Sequence, residues 1–153
     1  MTSLRLCVRR SSMTDETGPG ARITLRLPSD VACIEEAVAL LTYHCLGGGG
    51  DRDRMRFRLE VVLAEAIANA IVRGNRQDPG KSVQVAVRLR APDIRIDVTD
   101  EGDGFDPATV PEPVTPQHIL EERGRGIFLI RHLADQVVFN ERGNSICAIL
   151  LRR

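Results

Sequence analysis

The sequence lacks an excess of charge of either sign, and it lacks a long apolar run. Its 21 basic and 21 acidic residues give a formal net charge of zero, so no overall field draws the chain to nucleic acid or to an anionic membrane. No apolar run approaches the roughly 18 residues that a membrane-spanning helix needs. The apolar stretch within residues 1–10 is short and interrupted by arginine, unlike a signal peptide. We therefore expect a cytoplasmic protein with no direct contact to nucleic acid or membrane.

Two common site signatures are also missing. The four cysteines, Cys7, Cys33, Cys45 and Cys147, show no Cys-x-x-Cys spacing, which argues against a zinc site and for reduced, packed thiols. The glycines 47–50 are not followed by the Gly-Lys-Ser/Thr of a Walker phosphate loop. We interpret them as a flexible linker between two helices.

Length and composition fit one domain with a disordered leader. With 153 residues, 42% of them hydrophobic, the chain can bury a proper core. Residues 1–20 are rich in Ser, Thr, Gly and Arg without a sustained period, which predicts disorder. We expect the domain itself to cover residues 21–153.

Hydrophobic periodicity predicts the order of the elements. Alternating apolar residues indicate strands at 21–27, 83–89, 93–99, 137–140 and 145–151. Spacings of three and four indicate helices from about Ser29 to Leu46, from Asp51 to Arg73 and after Gly126. This order favours an α+β fold in which a mostly antiparallel sheet carries its helices on one face.

The stretch from Asp100 to Phe105 reads Asp-Glu-Gly-Asp-Gly-Phe and directly follows a predicted strand. An ionised carboxylate only accepts hydrogen bonds, so Asp100 at a strand end suits a ligand with an N–H donor, such as the exocyclic amine of adenine. Gly102 and Gly104 leave room beside it, because glycine has no Cβ and takes positive φ. Taken alone, the motif is explained equally well by an ordinary acidic turn.

A line of polar residues follows the margin of the second predicted helix. Glu65, Asn69 and Arg73 are spaced by four, so each step advances only about 40° and the side chains project along one line beside the buried face. On its own, this line is more simply an ordinary solvated boundary row.

A third motif follows an irregular segment. Pro107 to Arg123 has no hydrophobic period and contains four prolines, and so long a segment in a small domain is usually disordered or functional, as in a lid. It closes into Gly124-Arg125-Gly126 at a predicted helix start, where exposed amides bind phosphate. Taken alone, Gly-x-Gly is more simply explained as the start of a helix with no phosphate-binding role.

The combination of these three motifs, in this order, resembles the GHKL ATPases. That superfamily has the Bergerat nucleotide-binding fold, a two-layer α/β sandwich with a mostly antiparallel mixed sheet, and the chain is most similar to its branch of anti-sigma-factor serine/threonine kinases. The resemblance covers roughly residues 21–151, and the single-domain length agrees with that branch. The local sequences of residues 65–70, 124–130 and 139–144 also resemble that branch. The chief departure is Ala134-Asp135-Gln136, where many relatives have Met-Asp-Glu, and it concerns packing.

The resemblance implies ATP or ADP and Mg²⁺ as cofactors. It implies that Asn69 coordinates the Mg²⁺ that bridges the phosphates, that Glu65 is the general base on the attacking hydroxyl, and that Asp100 binds adenine. A hard ion such as Mg²⁺ takes few protein oxygens, so one amide oxygen suffices.

The same resemblance assigns roles to the glycines and arginines. Gly102 and Gly104 would give room to the base, and Gly124 and Gly126 would expose amides to the phosphates. Three arginines are candidates for phosphate or lid contacts, and nothing in the sequence ranks them: Arg73, Arg123 and Arg125.

The implied partners are a sigma factor, sequestered in one nucleotide state, and an antagonist protein whose serine accepts the phosphate. A nucleotide-gated binding module without phosphotransfer is the alternative, and Glu65 favours the kinase without deciding. A histidine-kinase fragment would need a phosphoacceptor helix, and the three histidines are better explained as packed or solvated. Relatives act as dimers, and the strand 21–27 with the first helix offers apolar surface that could pair two copies about a two-fold axis.

Overall fold

Six strands form one sheet in the computed structural model, which describes residues 7–15, 18–47, 53–109 and 125–152. The strands are β1 (Cys7–Asp15), β2 (Gly18–Pro28), β3 (Ser82–Leu89), β4 (Asp93–Thr99), β5 (Gln136–Phe139) and β6 (Ser145–Leu151). The α-helices are α1 (Ile34–Leu46), α2 (Asp53–Asn69) and α3 (Arg125–Leu133). The strands lie in the order β1-β2-β3-β4-β6-β5, and each neighbouring pair is antiparallel. None of the described helices is long and apolar enough to cross a bilayer.

One face of the sheet is apolar and buried. In β3, Val83, Val85 and Val87 are fully buried and alternate with more exposed residues, because successive side chains of a strand point to opposite faces. The other central strands contribute the same kind of row: Ile23, Leu25 and Leu27 from β2, Ile94, Ile96 and Val98 from β4, and Ile146, Ala148 and Leu150 from β6.

The helices cover this buried face, with α2 at the centre. α2 contacts α1, α3, β4 and β6. Its buried residues recur at spacings of three and four, which places them on one stripe: Leu59, Val62, Leu63, Ala66 and Ile67. The predicted α+β fold, with a mostly antiparallel sheet and helices on one face, is thereby confirmed.

The structure differs from the sequence expectation at the start of the chain. Residues 7–15 and 18–20, expected in a disordered leader, lie in β1 and β2, which pair from Cys7 with Arg26 to Asp15 with Gly18. The pairing uses backbone hydrogen bonds to the edge of β2, which require no apolar period in β1. Residues 1–6 and 16–17 lie outside the described part of the chain.

Part of the apolar surface expected to pair two copies is instead core. Ile23, Leu25 and Leu27 of β2 face the helices, and Ala37 and Leu41 of α1 are fully buried. β2 also has neighbours on both edges, β1 and β3. The inward-facing residues of β2 therefore offer no surface to a second copy, whereas Tyr43 on α1 is 65% exposed, so the homodimer stays a prediction.

The end of the second helix also differs from expectation. The α-helix stops at Asn69 and continues as a π-helix, Ala70–Gly74, where an α-helix to Arg73 was expected. The amide of Asn75 donates to the carbonyl of Ala70, five residues back, at 2.8 Å. Single π turns of this kind occur frequently at functional sites.

Candidate functional site

The loop after β4 is held by the turn between β5 and β6. The backbone N–H of Asp100 donates to the carbonyl of Asn144 at 2.9 Å, and Asn144 Nδ2 donates to the Asp100 carbonyl at 3.0 Å. One more contact extends this docking: Phe105 packs edge-to-face on Phe139 with ring centroids 5.4 Å apart. The loop position is therefore set by residues about forty positions later in the chain.

The Asp100 carboxylate is half-buried and partly satisfied. Its Oδ1 accepts a hydrogen bond from the Gly102 amide at 2.8 Å. Burial raises the pKa of Asp100 above its usual value, and the Gly102 amide and the positive charges of Lys81 and Arg142 offset only part of that rise. A desolvated acceptor of this kind gains from a ligand donor more than a hydrated one does.

Glycines pack tightly around Asp100. A Cβ on Gly74 would overlap the Asp100 carboxyl group, and a Cβ on Gly102 would overlap the Gly74 carbonyl. Gly102 thus allows the loop to pack under the π-helix, rather than simply leaving space for a ligand. Gly74 was missed in the sequence, where it appeared only as part of a breaker cluster, although it directly follows the line ending at Arg73.

Two other glycines interlock the loop with the β5–β6 turn. Gly104 has φ +81° and Gly143 has φ +75°, a region that favours glycine. A Cβ on Gly104 would overlap the Arg142 carbonyl, and a Cβ on Gly143 would overlap the Phe105 carbonyl. Both positions need glycine for conformation and for space.

The second and third motifs meet at Asn69. Glu65 and Asn69 lie on one side of α2, and Gly126 lies in the first turn of α3. A Cβ on Gly126 would lie 2.7 Å from Glu65 Oε2 and 3.3 and 3.4 Å from Asn69 Nδ2 and Oδ1. The absence of a side chain at Gly126 therefore allows the backbone of α3 to approach the carboxylate and the amide together.

A cavity of about 820 Å³ lies between α2, the end of β4 and the β5–β6 turn, within the usual size range for small-molecule sites. Four predicted site residues line it: Asn69, Arg73, Asp100 and Gly104. Its apolar wall consists of Val72, Val98, Phe105, Ile127, Phe139 and Ile146. Its cationic side chains are Arg73, Arg76 and Lys81.

The remaining predicted residues are placed differently. Glu65 and Gly126 lie beside Asn69, and Gly102 is buried behind Asp100. Arg125 is exposed at the start of α3 and is not among the residues that line the cavity. Arg123, Gly124 and the lid expected at Pro107 to Arg123 lie outside the described residues, apart from the short turn Pro107–Thr109.

Arg76 and Lys81 are cavity-lining cations that the sequence did not single out. Both follow the π-helix, in the segment interpreted only as a turn before β3. No periodicity marks a residue in an irregular segment as facing a cavity, because its direction depends on how the turn packs.

The cavity combines an apolar wall, the half-buried carboxylate of Asp100, a second carboxylate at Asp103, three cations and the amide oxygen of Asn69. Such an arrangement suits a ligand with a flat N–H-bearing base and an anionic tail. Comparison with protein-family models matches residues 27–150 to the histidine kinase-like ATPase domain. The chain belongs to this family. The resemblance based on the three motifs is confirmed at this level.

Curated relatives of this ATPase domain carry two kinds of name. The chain is 28% identical over 97 residues to the anti-sigma F factor of Geobacillus stearothermophilus, covering 62% of this chain and 66% of the relative. It is 30% identical over 95 residues to the serine-protein kinase RsbW of Bacillus subtilis, covering 58% and 59%. It is 31% identical over 93 residues to the anti-sigma F factor of Oceanobacillus iheyensis, covering 58% and 64%. The chain thus spans less than two thirds of the length of each of these relatives.

Proposed function

We propose that the protein binds ATP with Mg²⁺ in the cavity beside α2 and transfers the γ-phosphoryl group to a serine of a partner protein. The observation that carries this proposal is the meeting of Glu65, Asn69 and Gly126 next to a cavity that Asn69 and Asp100 both line. A carboxylate, an amide oxygen and a helix start are the groups that hydroxyl activation, metal binding and phosphate binding require.

Asp100 recognises the adenine end of the nucleotide. Its carboxylate accepts from the exocyclic amine, and the apolar wall around Val98 and Ile146 covers the ring. The carboxylate is already held by the Gly102 amide at 2.8 Å, so little orientation remains to be lost when the ligand binds.

Asn69 holds the metal at the phosphate end. Its Oδ1 lies beside the Glu65 carboxylate in a space that a side chain at position 126 would fill, and an oxygen-only donor set of this kind fits Mg²⁺. When bound, the ion neutralises charge on the phosphates during transfer. Arg73 lines the same cavity and supplies a second positive charge.

Glu65 acts as the general base. The serine oxygen attacks the γ-phosphorus, the bond from that phosphorus to the β–γ bridging oxygen breaks, and the serine proton passes to Glu65 as ADP leaves. Glu65 stands one turn before Asn69 on α2, so base and metal ligand share one rigid element. The amides at the start of α3, next to Gly126, contact the transferred group.

The partners follow from the names of the relatives. Relatives called anti-sigma F factor and serine-protein kinase RsbW support a protein that sequesters a sigma factor and phosphorylates a serine-bearing antagonist. We place this activity in the cytoplasm, where sigma factors act.

The test is incubation of the full chain with γ-labelled ATP, Mg²⁺ and the product of an adjacent gene that encodes a small antagonist-like protein. We expect label on a serine of that partner and none without Mg²⁺. If ATP binds and changes partner affinity while no label is transferred, the protein is a nucleotide-gated binding module and the kinase assignment is wrong.

A further inference from the structure

A buried amide lies directly behind the candidate adenine-binding carboxylate. Asn75 follows the π-helix and is 1% exposed. Its Oδ1 accepts a hydrogen bond from the Glu101 N–H at 2.8 Å, and its Nδ2 donates to Ser29 Oγ at 2.8 Å and to the Ser82 carbonyl at 2.9 Å. One side chain therefore joins the end of β2, the start of β3 and the loop after β4.

The hydrogen bond from the Glu101 amide connects Asn75 to the loop that carries Asp100. Glu101 is the residue immediately after Asp100, and its own carboxylate accepts hydrogen bonds from the Ser82 amide and hydroxyl. The backbone of Gly74, just before Asn75, packs against the Asp100 carboxyl group. Asp100 is thus flanked by Gly74 on one side and by the Asn75-bound peptide on the other.

The backbone after Asn75 is strained. Arg76 and Gln77 have φ of +52° and +56°, a left-handed region that non-glycine residues rarely adopt. The Gln77 amide donates to the Ile71 carbonyl at 2.8 Å, which closes the end of the π-helix. Strain of this kind persists only where the surrounding contacts hold it, and the three hydrogen bonds of the Asn75 amide are such contacts.

We propose that Asn75 is a positioning residue that fixes the Asp100 carboxylate for the 6-amino group of adenine and thereby sets the preference for adenine over 6-oxopurine nucleotides. This inference rests on the proposed function. A 6-amino group donates a hydrogen bond, whereas a 6-oxo group presents an acceptor that a fixed carboxylate repels. A carboxylate released from its position turns away and loses both the attraction and the repulsion.

The test measures ATP and ITP binding by calorimetry for the wild type and for Asn75→Ala, with Mg²⁺ present. We expect Asn75→Ala to bind ATP about tenfold more weakly, the effect of one well-placed hydrogen bond, and to bind ITP no more weakly than the wild type. A loss that affected both nucleotides equally would show a merely structural role and would overturn the proposal.

Ser29→Ala is the matched control. It removes one partner of the Asn75 amide, together with the hydrogen bond from Ser29 Oγ to the Lys81 carbonyl, and leaves the bond to the Glu101 amide in place. We therefore expect a lower unfolding temperature with an unchanged ratio of ATP to ITP affinity. In an Asp100→Asn background, Asn75→Ala should have no further effect on ATP affinity, because it acts through Asp100. Additive losses in the double variant would overturn the proposal.

A second variant keeps the test decisive if Asn75→Ala does not fold. Asn75→Ser leaves a polar group in the core that is too short to reach the Glu101 amide, and we expect it to lose the ATP preference as well. A wild type that binds no ATP would overturn the proposed function and this inference together. A folded Asn75 variant with the wild-type ATP to ITP ratio would overturn this inference alone.

Discussion

At the scale of single residues, Asp100 combines a proposed binding role with an environment that disfavours its ionised form. Burial raises its pKa, so the folded protein holds the proton of Asp100 more tightly than the unfolded chain does. The free energy of unfolding therefore falls as the pH rises through the folded-state pKa of this group. Ionised Asp100 lowers stability at neutral pH while supplying the acceptor that the proposed ligand needs.

Asp100→Asn separates these two effects. The amide keeps an oxygen for the Gly102 N–H but turns a donor toward the adenine amine, so we expect ATP affinity to fall by roughly 1 to 3 kcal/mol. The unfolding temperature at neutral pH should stay the same or rise, since no buried charge has to form. Wild-type ATP binding should weaken as the pH is lowered and Asp100 is protonated. The midpoint of this loss should lie above 3.8, the ordinary pKa of the group. Calorimetry and thermal unfolding check both, and unchanged ATP affinity would remove Asp100 from the site.

Glu65 and Asn69 lie one turn apart on α2, and we expect substitutions at the two positions to have different kinetic effects. Glu65→Gln preserves shape and hydrogen-bonding reach but cannot take the serine proton, so transfer should fall by about 10² to 10⁴ with ATP affinity unchanged. Asn69→Ala should weaken Mg²⁺-dependent nucleotide binding and transfer together, because the protein ligand of the metal is lost. Labelled-ATP transfer and calorimetry measure both. If Glu65→Gln transfers phosphate at the wild-type rate, catalysis rests on positioning and charge alone.

At the scale of elements, the loop after β4 depends on the β5–β6 turn. The two are interlocked through Gly104 and Gly143, each with its place for Cβ taken by a carbonyl of the other segment. The β5–β6 turn itself is closed by Asn140, whose Oδ1 accepts from the Asn144 and Ser145 amides at 3.1 Å. The shape of the site is therefore decided where two loops meet.

Gly143→Ala should destabilise the protein more than Gly47→Ala does. Both glycines have positive φ, +75° and +65°, but only Gly143 is crowded, since nothing lies within 4 Å of a Cβ on Gly47. Gly47 has ψ −162°, a conformation essentially restricted to glycine, so backbone strain in Gly47→Ala costs about 1 to 3 kcal/mol. Gly143→Ala adds the displacement of the loop that carries Asp100 to its own backbone strain. Chemical denaturation and ATP affinity measure the difference. Equal destabilisation with equal ATP affinity would show that the interlocking does not matter.

The segment from Pro107 to Arg123 stays a predicted lid. Its described start contacts the cavity, because Thr109 lines it and Asp106 holds the turn by accepting from the Ala108 amide at 3.0 Å. We expect a glutamate-specific protease to cut after Glu121 and Glu122 in the free protein and more slowly with a non-hydrolysable ATP analogue. Equal cutting rates, with binding shown independently, would contradict a nucleotide-coupled lid.

At the scale of the whole molecule, Arg58 joins the helices to the sheet. Its Nε donates to the Leu133 carbonyl at 2.8 Å and its Nη1 to the Leu151 carbonyl at 3.3 Å, while Nη2 pairs with Asp135 at 2.6 Å. Asp135 Oδ2 also accepts from the Leu151 amide at 2.7 Å. One guanidinium on α2 thus holds the end of α3 and the end of β6, and none of these partners lines the cavity.

Arg58→Met should lower the free energy of unfolding by about 1 to 3 kcal/mol, because it leaves partly buried acceptors unpaired. ATP affinity should not change, since these contacts lie away from the cavity. Arg54→Met, at an exposed position on the same helix, is the control and should alter stability by less than about 0.5 kcal/mol. A large loss of ATP affinity in Arg58→Met would show that the helix layer and the site are coupled.

Much of the fold could be predicted because its signals are local. The alternation in β3 and β4 and the stripe on α2 follow from the geometry of single elements, which needs no partner to be recognised. β1 could not be predicted, because it is held by backbone pairing with β2 and its sequence carries no apolar period. The π-helix could not be predicted either, because Asn75, whose backbone amide donates to Ala70, has its side-chain partners after β2, in β3 and in the loop after β4.

The sequence by itself determined the three motifs, the family and the elements other than β1 and the π-helix, since each of these depends on residues close together along the chain. Only the tertiary structure decided that Gly126 approaches Glu65 and Asn69, that Gly74 packs on Asp100, and that Arg76 and Lys81 reach the cavity. These contacts join residues from different elements, and their geometry depends on how the helices pack on the sheet. The motifs therefore predicted the type of site, and the packing of α2, α3 and the loops decided which of their groups come together.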